Sequence, residues 1–228
     1  MTLQEVMTQL EAFGNPSTKR TLEKHGAKEP HFGVKVADLK KIVKKVKKDH
    51  KLSLKLYATG NSDAMYLAGL IADETQITAK ILDEWADQAY WYYLNEFTVP
   101  WVAAETSFGW KLGNKWIKSK KPHIAAAGWA TLANYATVTA DEDLDIPAYR
   151  ALLESIPAQI HNAPNRVGYV MNGFVIAVGS YIAELTEEAK TIGAEIGKVK
   201  VEMNGTACKV PLIVPYIQKV IDKDNVGK

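Results

Sequence analysis

Helical periodicity runs through nearly the whole chain, in about a dozen segments of roughly two to four turns joined by short connections. Helices that short are marginal alone, so each must bury its apolar stripe against neighbours. The clearest stripe runs from Val36 to Lys48. Val36, Leu39, Ile42, Val43 and Val46 share one side of a helical wheel, and Lys40, Lys41, Lys44, Lys45, Lys47 and Lys48 occupy the other. Further helices are expected over 51–59, from a Ser62 or Asp63 cap to about Ala72, and over 74–87, 108–119, 122–136 and 145–156. A long, largely apolar helix over 167–185 follows Pro164, a shorter one starts at Thr186, and a last one covers about 211–223. Lys198-Val-Lys-Val-Glu202 followed by Asn204-Gly205 is the one strand-and-turn pattern and predicts a small β-hairpin.

So many short helices argue for stacked pairs rather than a single bundle. With no strict sequence period, the expected fold is all-α: a degenerate α-α superhelix (an ARM/HEAT-like repeat solenoid) with a small β-hairpin near the C-terminus, forming one domain over 1–228. At 47% hydrophobic, the 228 residues can build a substantial core. No run of about 18 apolar residues occurs, so no membrane helix is expected. The first ten residues lack the blocks of a signal peptide, and Cys208 is the one cysteine, so the expected location is cytoplasmic and the expected state a monomer.

A net charge of +2 conceals blocks of opposite sign. Residues 1–60 carry 13 Lys+Arg against 6 Asp+Glu, residues 61–110 carry 1 against 8, and residues 111–122 hold 5 lysines and no acid. Basic blocks suit a polyanion, and they also occur as ordinary solvated faces. Lys40, Lys41, Lys44 and Lys45 become phosphate contacts if their helix faces a ligand groove. Lys115, Lys118, Lys120 and Lys121, with Lys111, mark a helix end and a turn, where such contacts are favoured. Trp85, Trp101 and Trp129 sit among apolar neighbours and are expected in the core. The run Tyr90-Trp-Tyr-Tyr-Leu-Asn-Glu-Phe97 cannot turn all its rings into one core, so Trp91 with Tyr90, Tyr92 and Tyr93 is expected either to line a groove or to pack between neighbouring repeats. His161, Asn165 and Arg166 surround a helix start at Pro164, where backbone amides beside a guanidinium make a phosphate seat. The histidines show no metal-ligand spacing and no Gly-rich phosphate loop is present, so neither a metal nor a cofactor is expected.

Phe32-Gly33-Val34 with Leu39-Lys40-Lys41-Ile42, and Leu56-Tyr-Ala-Thr-Gly-Asn61 with Leu67-Ala68 and Ile71-Ala72-Asp73, resemble the AlkD-like DNA alkylation repair proteins of the HEAT-like repeat DNA glycosylase superfamily. His161-Asn-Ala-Pro-Asn-Arg166 and Thr206-Ala-Cys-Lys-Val-Pro211 look like a subgroup of the same superfamily. The resemblance implies a solenoid that holds duplex DNA, whose active members excise cationic N3- or N7-alkylated purines. Such bases leave readily, so catalysis needs negative charge near the sugar and aromatic walls. The family supplies these with a Trp-x-x-x-Asp motif, and the counterpart here is Trp91-Tyr-Tyr-Leu-Asn95, an amide in place of the carboxylate. Glu96 lies one residue on, about 100° around a helix. Trp91, Asn95 and Glu96 are therefore the catalytic candidates in a divergent site. His123-Ile-Ala-Ala-Ala127 stands where the family has an arginine.

Two functions follow. The chain is a DNA-binding protein of the alkylation repair superfamily, with or without N-glycosylase activity, or it is a non-catalytic scaffold for a protein partner, for which the acidic 61–110 block argues.

Overall fold

The computed structural model describes residues 1–223, so residues 224–228 of the expected domain lie outside the described residues. Thirteen α-helices occur among them: α1 (Leu3–Phe13), α2 (Pro16–Lys24), α3 (Val36–Val46), α4 (His50–Tyr57), α5 (Ser62–Ile71), α6 (Ala79–Gln88), α7 (Val99–Ala104), α8 (Gly109–Trp116), α9 (Pro122–Val138), α10 (Ile146–Ser155), α11 (Asn165–Tyr181), α12 (Thr186–Ile196) and α13 (Ile213–Ile221). Their starts are written locally. Thr2 and Glu5 form a reciprocal capping box, and Asn15, Asp49, Thr78 and Asp145 each accept an N–H from the first turn they precede. The expected Ser62 or Asp63 cap of α5 is in fact Asn61, whose Oδ1 accepts from the N–H groups of Asp63 and Ala64. That leaves the Asp63 carboxylate to act elsewhere. Residues 74–78 are not helical, because Asp73 accepts from the Thr75 N–H and hydroxyl and holds a turn there.

α9 is the middle wall. It packs against α7 and α8 on one side and α11 on the other, and α11 in turn carries α12 and α13. One buried cluster runs from Val6 through α5 and Trp85 to Ala127, and a second from Ala125 and Trp129 through Phe174 to Ile217. The small residues of α9 let α8 come close: a Cβ on Gly128 would lie 2.4 Å from the Ile117 nitrogen. Trp85 and Trp129 are buried as expected, and Trp101 is half-buried against Tyr66 and Phe97. No single helix among the described residues is long and apolar enough to cross a membrane.

The all-α expectation holds, and no strand occurs among the described residues. The expected hairpin does not form. Asn204 and Gly205 do make the positive-φ turn, closed by the Thr206 N–H on the Met203 carbonyl. The 198–202 segment, however, finds no partner strand. The Asn165 amide takes its backbone instead, accepting from the Glu202 N–H at 2.6 Å and donating to the Glu202 carbonyl at 2.9 Å. Val199 is buried against the start of α11, near Gly168.

Candidate nucleic-acid interface

The aromatic run after α6 leads into a π-helical turn, Tyr93–Thr98, directly before α7. Pro100 has no N–H to return to this turn, and wide turns of this kind commonly occur at functional sites. The turn packs against α5, α7 and α9. Trp91 is buried, its Nε1 donating to the Ser62 hydroxyl at 2.8 Å, and it stacks on Tyr93 with centroids 4.7 Å apart.

Beside this turn lies a cavity of about 530 Å³. Its walls are His25 and Gly26 at the end of α2, Tyr90, Trp91, Tyr92 and Asn95, the α9 start at Pro122 and His123 with Ala126, the α11 start at Pro164, Asn165 and Arg166, and the Glu202–Asn204 loop. Two helix N-termini, those of α9 and α11, therefore converge on it with their partial positive charge, although Pro122 has no N–H and the Lys121 and Ile124 N–H groups are bonded to Ser119 and Lys121. Its lining holds one guanidinium, that of Arg166, and one carboxyl group, that of Glu202.

Arg166 is fixed from three directions. Its guanidinium lies over the rings of Tyr169 (4.2 Å) and Tyr92 (4.7 Å). It grips Glu96 with two hydrogen bonds, Nε on Oε1 at 2.7 Å and Nη2 on Oε2, while Nη1 touches the Met203 sulfur at 3.6 Å. The Glu96 side chain is 3% exposed and that of Arg166 30%, so the pair reaches from the interior to the cavity wall. Burial pushes the Glu96 carboxyl up to about 6, against the opposing pull of Arg166. On Arg166, burial works against the charge, but the Glu96 hydrogen bonds prevail and hold the guanidinium above its ordinary value.

Because the folded Glu96 value lies above the ordinary 4.5, the native protein binds more protons than the unfolded chain between about 6 and 4.5. This group's cost is thus full above pH 6, and stability is expected to rise by about 2 kcal/mol as pH falls through that window. Urea unfolding at about pH 7.5 and about pH 5 checks it, with Glu96→Gln expected to lose that part of the gain. Identical pH dependence in both proteins would refute it.

The sequence candidates divide sharply. Trp91, Asn95, Asn165 and Arg166 meet in the cavity wall, with Glu96 behind Arg166. The Asn95 amide nitrogen donates to the Ala89 carbonyl at 3.1 Å, and its buried Oδ1 has no partner. His161 is not on the cavity; its Nε2 meets the Ile196 carbonyl at 3.0 Å and ties the α11 approach to the end of α12. Lys40, Lys41, Lys44 and Lys45 are exposed on α3, and none lines the cavity. Lys41 pairs with Asp38 at 2.7 Å and lies over Phe13.

Lys115 and Lys121 are held by Asp83 and Asp87, one turn apart on α6, and Asp83 also accepts from Trp116 Nε1 at 2.8 Å. Lys118 and Lys120 are exposed and, among the described residues, make no ion pair. Four of the eight carboxylates in the 61–110 block are paired with basic side chains from outside the block: Glu74 with Lys48, Asp83 and Asp87 with the 111–122 lysines, and Glu96 with Arg166. The Glu74, Asp83 and Asp87 pairs lie at the surface and are worth only about 0–1 kcal/mol each, so an incoming phosphate can displace their carboxylates. His25 and Met203 on the cavity wall, and Tyr169 one turn after Arg166 on α11, were not singled out from the sequence; His25 and Met203 meet site residues that are distant in the chain and leave no local signal.

The profile of the DNA alkylation repair enzyme family matches residues 6–189. An uncharacterized protein of Listeria innocua is 30% identical over 231 residues, covering 99% of this chain and all of the relative. An uncharacterized protein of Listeria monocytogenes is 31% identical over 225 residues, covering 96% of this chain and 97% of the relative. A solved structure with a TM-score of 0.91 and 34% identity spans all of this chain and 97% of its own. It is described as belonging to a new family of proteins related to the HEAT-like repeat DNA glycosylases, with affinity for branched DNA structures.

Proposed function

Because the chain belongs to the DNA alkylation repair enzyme family and has the fold of the HEAT-like repeat DNA glycosylases, we propose that it binds DNA across the α9–α11 cavity without excising bases. A phosphate seats at Arg166 and the N-termini of α9 and α11, and the aromatic wall of Tyr90, Trp91 and Tyr92 takes an unstacked or branch-point base. The solved relative's affinity for branched DNA supports junctions or other non-duplex forms as the preferred ligand. Lys118 and Lys120 add displaced-counterion affinity without reading sequence.

The observation that carries the non-catalytic half is the fate of the two acid candidates. Asn95 is neutral and turned onto Ala89, and the Glu96 carboxylate is occupied by Arg166. Neither offers a free negative charge to a sugar that is becoming oxocarbenium-like. Pairing half of the 61–110 carboxylates with basic side chains weakens the feature that favoured a protein scaffold.

Purified protein titrated with duplex and with three- or four-way junction DNA tests this. Affinity is expected to favour the junction and to fall steeply between about 50 and 200 mM salt. Release of 7-methylguanine from methylated DNA is expected to stay at background. Salt-insensitive or undetectable binding would remove the DNA assignment, and turnover by the native chain would remove the non-catalytic one. Asn95→Asp restores one carboxylate at the family position. Excision by that variant alone would show that the amide is what silences the site.

A further inference from the structure

The loop between α2 and α3 contains a buried histidine with no hydrogen-bond partner. The side chain of His31 is fully buried, and neither ring nitrogen is satisfied. Its Nε2 points toward Glu23 Oε1, 3.7 Å away, too far for a hydrogen bond. Glu29 completes the group, and one oxygen from each carboxylate lies within 4.8 Å of the other and of the imidazole nitrogen. A buried imidazole with no protein partner among the described residues is costly unless something occupies the space it faces.

We infer that Glu23, Glu29 and His31 form a binding site for a divalent transition-metal ion, with zinc the best fit. An imidazole nitrogen and carboxylate oxygens are donors that zinc accepts, and three protein ligands leave a fourth tetrahedral position for water or a ligand group. An imidazole donor disfavours magnesium and calcium, which take all-oxygen shells. The ligand atoms of tetrahedral zinc lie roughly 3.3 Å apart, so the present triangle must contract by about 1 Å. The two glutamates can supply that movement because their side chains are 45% and 65% exposed, while His31 stays fixed.

Lys19 competes, its Nζ lying 2.5 Å from Glu29 Oε1. Glu29 Oε2 accepts only the His31 N–H at 3.1 Å and keeps a lone pair for the ion.

Zinc chloride titrated calorimetrically into the untagged full chain tests the site. One saturable site per chain is expected, with affinity reduced at least about tenfold by Glu23→Gln and by Glu29→Gln, and unaffected by excess magnesium. Both substitutions are at exposed side chains, so the fold persists. As a second readout, zinc should raise the Tm of the parent protein and not that of either variant. Absence of saturable binding, or equal affinity in the parent and both variants, overturns the assignment.

Discussion

Replacing Arg166 with methionine is expected to lower the unfolding free energy by about 3–5 kcal/mol near neutral pH, because it strands the Glu96 carboxylate in the interior. Glu96 is 3% exposed and its two oxygens meet only the guanidinium, so no other donor is ready to replace it. The carboxylate escapes by taking a proton. Its value, already raised to about 6, moves higher, and the deficit shrinks as the solution is acidified. The double variant Glu96→Met with Arg166→Met removes both charges and fills the same space. It is expected to recover most of the stability, since an apolar replacement of a buried pair is often neutral or better. DNA affinity should not recover. Losing the one guanidinium on the cavity wall is expected to weaken junction binding about tenfold or more and flatten the salt slope by about one counterion. Urea unfolding and DNA titration on the parent protein and the two variants separate the effects. If the single variant loses under about 1 kcal/mol, Glu96 has another partner. If the double variant binds DNA normally, Arg166 is a structural tie and not a phosphate seat.

Helices from α3 onward, the short α7 excepted, were legible because apolar residues recur at helical spacing, and α4, α5, α6 and α10 also carry a side-chain cap at their start; α1, α2 and α7 were not among the expected helices. The α5 start shows the grain of that information. Asn61, Ser62 and Asp63 can all cap, and only the loop 32–34 that claims Asp63 settles the choice in favour of Asn61. The hairpin failed for a non-local reason. Val199, Val201 and the Asn204-Gly205 turn have strand chemistry, but pairing was pre-empted by Asn165, 37 residues away. The site was half legible. Motif resemblance and aromatic density found Trp91, Asn95, Asn165 and Arg166, whereas the Arg166–Glu96 link spans 70 residues and turns a catalytic candidate into the partner of a binding one. Lysine-rich faces carried the least information. Periodicity puts Lys40 and Lys44 on the outside of α3 and cannot say what that outside faces. A search of histidine spacing likewise passed over Glu23, Glu29 and His31, because it is the burial of one imidazole, not its position in the chain, that sets the group apart.

Asp63→Ala is expected to cost about 3–5 kcal/mol, from a single exchange outside the two large apolar clusters. The Asp63 carboxylate accepts three consecutive backbone N–H groups, Phe32 at 2.6 Å, Gly33 at 3.0 Å and Val34 at 3.1 Å, where the chain approaches α3. Burial pushes the Asp63 carboxyl above its ordinary value, and the amides of Phe32, Val34 and Gly33 pull it back. Alanine leaves those donors with nothing to bond, at about 1–3 kcal/mol for each that water cannot reach. Asparagine keeps one acceptor oxygen, which can serve two of the three, so Asp63→Asn should lose roughly half as much. Gly33 cannot shift to compensate. Its φ of +78° suits only glycine, and a Cβ there would lie 2.6 Å from the Lys19 backbone. The damage should spread along the loop. Tyr90 holds its other end, the hydroxyl donating to the Lys28 carbonyl at 2.9 Å, and His25 and Gly26 form a wall of the cavity. Amide exchange at Phe32, Gly33 and Val34 is therefore expected to accelerate far more than exchange in α9 or α11. Junction affinity should fall with it, although Asp63 is far in sequence from Arg166 and lines no part of the cavity. A loss under about 1 kcal/mol, or uniform acceleration across the whole chain, would mean that the three amides have other acceptors.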